Sequence, residues 1–370
     1  MSRRDIIKNM TKSESLSTIN NDEKVINLGL GDTRFQTTKN ILEDTQKHLL
    51  QGKTHYTNSN GIEELRSAIT RYLNVYGLKA KQDNVIVTSG AMQAVFYSLF
   101  LHTERGTRVG LFEPCWLAYK KIIKVLEGEP VFIELQNNKF TLEVLYYLDK
   151  QNLDVLIINN PTNPTGKVWT RDELDIITEY CKKHDILIIS DEAYNEIVFD
   201  KPFFSIGEFD CKSIVINSFS KTFSMTGWRL GYLYSDNKEI VDSITKLQQI
   251  VSTCPNSFVQ YGTLHFEEDL HETEERNVIY NKNRNLLYNT LKECNLNPVY
   301  PEGTFYMWVD VGKDGKEFAK EWFDKYQIIV VPGEAYGEST KNFVRFSYAL
   351  PYEILKEACE RIKCVKKKKR

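Results

Sequence analysis

The sequence predicts an α/β protein, with a large three-layer α/β/α domain around a mostly parallel sheet and a smaller α+β domain. Short apolar runs alternate with longer amphipathic runs through the middle of the chain. Apolar strands that lack polar alternation and are separated by helices indicate a parallel sheet covered by helices on both faces. The length of 370 residues exceeds what one hydrophobic core usually spans, which favours two domains.

The strands of the large domain are predicted from these apolar runs. In chain order they are NVIVT (84–88), TRVGLF (107–112), PVFIEL (130–135), DVLIIN (154–159), ILIIS (186–190), SIVINS (213–218) and RLGYLYS (229–235). Helical patterns such as AMQAVFYSLFLH (91–102) lie between them. We assign residues 48–265 to the large domain. Residues 1–47 are too few for a domain of their own, so we group them with residues 266–370 in the smaller one.

Composition and charge exclude several classes of protein. The chain is 41% hydrophobic and 26% charged, as in ordinary globular proteins, and its net charge of −2 does not favour nucleic acid or an anionic membrane. No apolar run approaches the ~18 residues of a membrane span, and the N-terminus lacks the apolar core of a secretory signal. The scattered cysteines and histidines lack metal-ligand spacing. We expect a cytoplasmic protein with reduced cysteines, no metal and a solvated basic tail, KKKKR (366–370).

One lysine has unusual neighbours for a surface residue. Lys221 lies in NSFSKTFSMTGWRLGYL (217–233), among Ser, Thr, Phe and Gly rather than among charged side chains. Desolvation in such surroundings lowers the pKa of an amine and leaves it nucleophilic toward a carbonyl. Arg229, eight residues later, can provide positive charge for an anion. Taken alone, the lysine could equally extend from a loop into solvent.

Three further motifs follow predicted strands. Asp191 ends ILIIS and is followed by Tyr194, Asn163 lies in NNPTNPTG (159–166), and VTSGAMQAV (87–95) places a small-residue turn before a helix. Ligands of open α/β sheets bind beyond the carboxyl ends of the strands. A carboxylate there can hold the protonated ring nitrogen of pyridoxal phosphate, and a helix N-terminus can bind a phosphate. Each motif alone could be a cap, a turn or ordinary packing, but together they predict a cofactor site.

The motifs NNPTNPTG, SDEAY and SFSKTFSMTGWRLGY together resemble the aspartate-aminotransferase superfamily, the fold-type I pyridoxal-phosphate enzymes of aminotransferase class I/II. The resemblance extends from INLGLGD (26–32) to VRFSYA (344–349) and so covers nearly the whole chain. It implies that pyridoxal 5′-phosphate is held as a Schiff base on Lys221. The same lysine would later move the Cα proton of the substrate.

The resemblance also implies roles for other residues of these motifs. Asp191 would pair with the pyridine nitrogen, while Tyr194 and Asn163 would hydrogen-bond the 3-oxygen of the ring. Arg345 would grip the substrate α-carboxylate as a bidentate fork, next to Gly31. The residues implied to hold the phosphate are Ser218, Arg229 and the backbone around Ala91 and Met92.

Two aromatic residues complete the implied site, and one segment departs from the family pattern. Trp116, in EPCWLAY, would stack on the cofactor ring and border the substrate. Tyr56, in HYTNSNG, would contact the phosphate of the neighbouring subunit, so that a symmetric homodimer shares its active sites. Residues 31–35 read Gly-Asp-Thr-Arg-Phe where the family has a Gly-Glu-Pro-Asp-Phe pattern. Asp32 would favour a cationic substrate side chain and Arg34 an acidic one, and the sequence does not decide which of them points inward.

The resemblance implies transfer of the α-amino group of an amino acid to a 2-oxo acid, the commonest reaction of this scaffold. The altered segment 31–35 leaves a second interpretation, an oxidase or cyclase that uses the same cofactor on free arginine or a related basic amino acid in natural-product biosynthesis. A cofactor-binding transcriptional regulator is not expected, because residues 1–47 are too few for a helix-turn-helix domain. An inactive scaffold is not expected either, since the lysine, the aspartate and both arginines are present.

Overall fold

The computed structural model describes residues 3–8, 24–135, 138–337 and 339–367. The strands are β1 (Ile26–Asn27), β2 (Val85–Thr88), β3 (Arg108–Glu113), β4 (Glu129–Glu134), β5 (Val155–Asn159), β6 (Leu187–Asp191), β7 (Ser213–Ser218), β8 (Gly231–Tyr234), β9 (Asn297–Pro298), β10 (Tyr306–Asp310), β11 (Ile328–Ile329), β12 (Val331–Pro332) and β13 (Phe343–Ser347). The helices are α1 (Arg3–Lys8), α2 (Lys39–Leu50), α3 (Glu63–Val75), α4 (Ala91–His102), α5 (Ala118–Val125), α6 (Leu142–Asp149), α7 (Arg171–Lys183), α8 (Phe219–Thr222), α9 (Lys238–Val251), α10 (Ser257–Gly262), α11 (Leu270–Glu293), α12 (Gly315–Tyr326) and α13 (Tyr352–Lys367).

The central sheet has seven strands in the order β2–β8–β7–β6–β5–β3–β4. Strand β8 is antiparallel to both of its neighbours, and the remaining adjacent pairs are parallel. The register pairs Asn159 with Asp191, so the carboxyl ends of β5 and β6 lie side by side. Strand β7 is the next neighbour and ends at Ser218. The predicted strand at 229–235 begins later, at Gly231, because Arg229 has left-handed backbone with φ 56°.

Helices cover both faces of this sheet, as the apolar strands predicted. Because side chains alternate along a strand, Ile157 and Ile189 pack in one cluster with Val95 of α4. Their neighbours Leu156 and Ile188 belong to a second cluster on the opposite face, which contains residues of α6 and α7. Two separate apolar cores on either side of one sheet give the three-layer α/β/α arrangement.

A smaller antiparallel sheet follows, in the order β12–β13–β10–β9, and it packs in a further core with α11, α12 and α13. The N-terminal segment divides between the two parts of the chain. Strand β1 pairs with β11 of the C-terminal part. Helix α2, however, packs against α10, and α1 contacts α5. The domain boundaries at 47/48 and 265/266 stay a prediction.

Within the described ranges, no helix is long and apolar enough to cross a membrane, and no cluster of three or more His, Cys, Asp or Glu side chains suits a metal ion. None of the cysteines whose side chains are described takes part in a disulfide. The last three residues of the basic tail, 368–370, lie outside the described residues.

Candidate active site

Lys221 lies in α8, a single helical turn that directly follows β7. Ser218 begins the turn, and its hydroxyl accepts a hydrogen bond from the backbone N–H of Ser220 at 3.1 Å. The lysine side chain extends away from the turn, and its amine donates to the backbone carbonyl of Gly31. Burial of this amine lowers its pKa to about 8. A larger fraction of the amine is therefore neutral and nucleophilic near neutral pH than on an ordinary lysine.

Charged side chains surround this amine and act on it in opposite directions. After burial, the largest influence is the carboxylate of Asp32, which raises the pKa of Lys221. Arg345 and Arg229 lower that pKa, and Asp191 raises it. All four come from different parts of the chain, so the fold brings together residues that the sequence motifs had indicated separately.

Asp191 is held in one orientation at the end of β6. Its Oδ2 accepts a hydrogen bond from the hydroxyl of Tyr119 at 2.6 Å, and its Oδ1 accepts one from the backbone N–H of Ala193 at 3.2 Å. Its own backbone carbonyl accepts from the amide of Asn159, at the end of the neighbouring strand. Burial raises the pKa of this carboxyl, and the bond from Tyr119 lowers it. The carboxylate is thus buried, supported on both oxygens and close enough to act on Lys221.

Sequence reasoning selected Trp116 but did not find Tyr119, three residues later in the same motif. A turn in which Tyr119 N–H donates to the Trp116 carbonyl joins the two residues, and their rings meet edge to face with centroids 5.4 Å apart. The available signal was this spacing, which puts two aromatic side chains on one side of a helical turn. The partner of the Tyr119 hydroxyl could not be identified from the sequence.

Arg345 lies in the middle of β13 and is buried. Its two terminal nitrogens donate to the Asn163 side chain at 3.1 Å and to the Gly29 carbonyl at 2.7 Å. The guanidinium lies 4.0 Å from the ring centroid of Tyr306, whose hydroxyl is 3.0 Å from that of Tyr194. The Nε–H of Arg345 is buried without a hydrogen-bond partner among the described residues. An oriented guanidinium with an unsatisfied donor is suited to a carboxylate ligand.

The first turn of α4 meets the side chain of Arg229. Gly90 precedes the helix with φ 81°, and a Cβ atom there would lie 2.6 Å from Nη2 of Arg229. A Cβ at Gly231 would lie 2.7 Å from the backbone nitrogen of Ala91, and the register places Gly231 opposite Ser218. Only glycines permit this close approach of helix, strand and arginine. Backbone N–H groups at a helix N-terminus beside a guanidinium form a site for an anion.

The structure orients the two charged residues of segment 31–35 differently. Asp32 accepts a hydrogen bond from the hydroxyl of Thr226 at 2.7 Å, and its charge acts on Lys221. Arg34 is exposed, and its backbone N–H donates to the carbonyl of Ala349. Asp32 therefore faces Lys221, whereas the side chain of Arg34 faces solvent.

Three other predicted residues have clear positions. A Cβ at Gly31 would lie 2.5 Å from the hydroxyl oxygen of Tyr306, so a side chain there would displace that ring. Met92 lies in the first turn of α4 and is 40% exposed. Tyr56 is 85% exposed and lies at the surface of the chain. Neither Tyr306 nor Thr226 was among the residues selected from sequence, because each is identified by contacts with residues far away in the chain. Tyr306 contacts Arg345 and Tyr194, and Thr226 donates to Asp32.

These groups fit pyridoxal 5′-phosphate. The amine of Lys221 suits its aldehyde, the buried carboxylate of Asp191 suits its ring nitrogen, and the glycine-lined cradle between α4 and Arg229 suits its phosphate. Arg345, whose charge also acts on Lys221, adds a second anion site for a carboxylate. The arrangement can therefore bind a cofactor and an α-amino acid around one nucleophilic amine.

Comparisons with known proteins agree with this geometry. The model of the family described as aminotransferase class I and II matches residues 23–362. A probable aspartate aminotransferase of Methanocaldococcus jannaschii is 38% identical over 348 residues, which cover 91% of this chain and 92% of that protein. The (5-formylfuran-3-yl)methyl phosphate transaminase of the same organism is also 38% identical, over 92% of this chain and 91% of its own. The crystal structure of an aromatic aminotransferase from Pyrococcus horikoshii superposes with a TM-score of 0.91 at 33% identity, and the match covers 100% of this chain and 99% of that one.

Proposed function

Because the chain belongs to the aminotransferase class I and II family and is an aminotransferase, with amino-acid and oxo-acid substrates, we propose that it binds pyridoxal 5′-phosphate on Lys221. The observation that carries this proposal is the buried amine of Lys221, whose pKa is lowered and on which the charges of Asp191 and the two arginines act. Transfer of an α-amino group requires a carbonyl cofactor that an amine can capture, and Lys221 is suited to that capture.

The residues around Lys221 would hold the cofactor at three points. Asp191 would pair with the ring nitrogen, supported by Tyr119. Ser218, Arg229 and the first turn of α4 would hold the phosphate, and Trp116 would lie against the ring. When bound, pyridoxal phosphate supplies an electron sink that stabilises negative charge at the Cα atom of the substrate.

The protein side chains would then orient the substrate and move its proton. Arg345 binds the α-carboxylate, and its contacts with Asn163 and Gly29 fix the plane of the guanidinium. A bound carboxylate would direct the Cα atom toward Lys221, whose amine would take the Cα proton as a general base and then return it as a general acid. An amine with a pKa near 8 suits both steps, since general acid–base catalysis is most efficient when the pKa lies near the working pH.

Transamination is favoured over the oxidase or cyclase interpretation, because the relatives that match over nine tenths of the chain are named as transaminases. Their names do not select a substrate for this chain. An aspartate enzyme and a furan phosphate enzyme match it at the same 38% identity. The amino acid is therefore a matter for measurement.

The test is turnover of a panel of amino acids, with and without a 2-oxo acid. We expect product formation to depend on the oxo-acid acceptor. We also expect Lys221→Ala to abolish turnover and to abolish covalent retention of the cofactor after borohydride reduction. Turnover that consumes dioxygen and ignores the acceptor would establish the oxidase instead, and normal turnover of Lys221→Ala would exclude Lys221 as the anchor.

We also propose a cytoplasmic homodimer with shared active sites, supported by the exposure of Tyr56. If Tyr56 contacts the phosphate of the partner subunit, a mixture of Lys221→Ala and Tyr56→Phe subunits should form heterodimers with one unmodified site. The mixture should then regain activity above the sum of the two variants. A fully active monomer in analytical ultracentrifugation would contradict the shared site.

A further inference from the structure

Arg276, on α11, joins two segments that face the active site. It is buried, and one terminal nitrogen donates to the carbonyl of Thr222 at 3.0 Å and to the hydroxyl of Ser224 at 3.4 Å. The other terminal nitrogen donates to the carbonyl of Gln36 at 3.2 Å and to the carboxylate of Glu272 at 3.2 Å. One guanidinium thus bridges the chain that follows Lys221 and the chain that follows segment 31–35.

The first of these contacts supports the end of the lysine-bearing turn. Thr222 is the last residue of α8, where carbonyl groups lack helical partners, and it also accepts from the hydroxyl of Thr273 at 3.2 Å. Ser224, two residues on, has left-handed backbone with φ 56°, a conformation that costs energy in a residue with a side chain. Its carbonyl accepts from Thr37 and its hydroxyl from Arg276. Arg276 therefore helps to hold a strained turn next to Lys221.

The second contact supports the opposite wall of the site. Gln36 follows the segment that carries Gly31, whose carbonyl accepts from the lysine amine, and Asp32, which accepts from Thr226. The distance between this wall and the lysine-bearing turn determines where the amine of Lys221 lies, because the amine donates to the wall at Gly31. Arg276 is bonded to the backbone on both sides, so it helps to fix the separation between them, together with the bonds of Thr37 to Ser224 and of Thr226 to Asp32.

Burial alone does not explain this arrangement, as a second arginine of α11 illustrates. Arg284 is also buried, and it donates to the carboxylate of Asp200 at 2.8 Å and to the carbonyl of Pro301 at 2.9 Å. Both buried guanidinium groups donate to backbone carbonyls and to a carboxylate. Of the two, only Arg276 has backbone partners, the carbonyls of Thr222 and Gln36, in the segments that contact Lys221.

We propose that Arg276 is a positioning residue for transamination, which fixes the lysine-bearing turn against the segment that faces the substrate. The inference rests on the proposed function, since it concerns the placement of Lys221 for proton transfer. A guanidinium can bridge two carbonyls on different segments because its donors are held in a rigid fork. A lysine at the same position has one ammonium group and would retain one of the two contacts.

We expect Arg276→Met to displace the amine of Lys221 and to leave binding of the amino acid largely intact. Displacement of a catalytic group by about 1 Å can lower a rate on the order of 100-fold, so we expect kcat to fall by one to two orders of magnitude while the KM for the amino acid changes less. Arg276→Lys should recover part of kcat. Arg284→Met should lower the thermal stability of the protein about as much as Arg276→Met does, but it should keep kcat close to the wild-type value.

A second readout uses the full-length, cofactor-free protein and requires neither turnover nor substrate. The rate at which Lys221 reacts with an amine reagent, followed by mass spectrometry across pH, reports the pKa of its amine. Wild-type protein and Arg284→Met should show a midpoint near 8. In Arg276→Met the two walls separate and water enters, so the midpoint should rise toward the ~10.4 of a free lysine. The charged neighbours Asp32, Asp191, Arg229 and Arg345 are unchanged in these variants.

These outcomes decide the proposal, even if a methionine variant fails to fold. In that case Arg276→Lys is compared with Arg284→Lys, and a selective decrease of kcat with a raised Lys221 midpoint supports positioning. Equal effects of the two arginines on kcat and on the midpoint, or no effect of Arg276 on either, would overturn it. Failure of the transaminase assay in the wild type would instead refute the proposed function, because the labelling profile does not depend on it.

Discussion

Replacement of Tyr119 by phenylalanine should change the pH dependence of catalysis through Asp191. The tyrosine hydroxyl donates to Oδ2 of Asp191 at 2.6 Å in a buried site, and this bond lowers the pKa of the carboxyl that burial raises. A hydrogen bond to a charged group contributes about 1.5–3 kcal/mol. Its loss should therefore raise the pKa of Asp191 further and favour the protonated carboxyl by about that free energy.

The assay is the pH profile of kcat/KM with a saturating 2-oxo acid. Asp191 must be ionised to pair with a protonated ring nitrogen, so activity is present above its pKa and is lost as the pH falls through it. In Tyr119→Phe the acidic limb of the profile should therefore move to higher pH, and on that limb kcat/KM should be lower than in the wild type by up to about 10- to 150-fold, the factor that corresponds to about 1.5–3 kcal/mol. The dissociation constant of the cofactor should increase as well, and more strongly at low pH.

Tyr97 provides the matched control for this substitution. It belongs to the same apolar core as Tyr119, and its hydroxyl is buried without a hydrogen-bond partner among the described residues. Tyr97→Phe removes the same atom from the same core without removing a bond to Asp191. An unmoved acidic limb in Tyr119→Phe, or an equal shift in both variants, would refute the role of the hydroxyl.

Three further predictions concern the substrate side of the site. Arg345→Lys should raise the KM for the amino acid by about 10- to 150-fold, because an ammonium group replaces a bidentate fork and loses about 1.5–3 kcal/mol, and steady-state kinetics will measure the increase. Asp32→Asn should lower the pKa of Lys221 below its value of about 8, because it removes the carboxylate that raises it, and the pH midpoint of cofactor capture should fall accordingly. Arg34→Gln should leave kcat/KM for arginine, glutamate and a neutral amino acid unchanged, since Arg34 is exposed, and a selective loss for glutamate would show that this arginine binds the substrate.

Much of the fold could be predicted from local patterns in the sequence. Apolar strands separated by helices predict a covered parallel sheet wherever they occur, and the seven predicted strands all appear in the central sheet. The antiparallel direction of β8 was not predicted, because strand direction depends on how the connecting segment turns. That segment contains Arg229 and Ser224 in left-handed conformations, which the residue types do not signal.

Some residues of the candidate site were likewise predictable from the sequence, and others were not. Lys221, Asp191 and Asn163 follow strands of one sheet, and the carboxyl ends of adjacent parallel strands lie at one edge, so the sequence predicts that they approach each other. Tyr119 and Arg276 were not predicted, since their partners lie far away in the chain. Tyr119 is 72 residues from Asp191, and Arg276 is 240 residues from Gln36.

The sequence by itself determined the fold class and the family, because apolar periodicity and contiguous motifs are local properties of the chain. Only the tertiary structure decided that Asp32 faces Lys221 while Arg34 faces solvent, although the two residues lie in one short segment. It likewise determined which hydroxyl supports Asp191 and which guanidinium holds the lysine-bearing turn. These choices depend on the packing of α5, α11 and the two sheets around the same amine, and no stretch of sequence contains that packing.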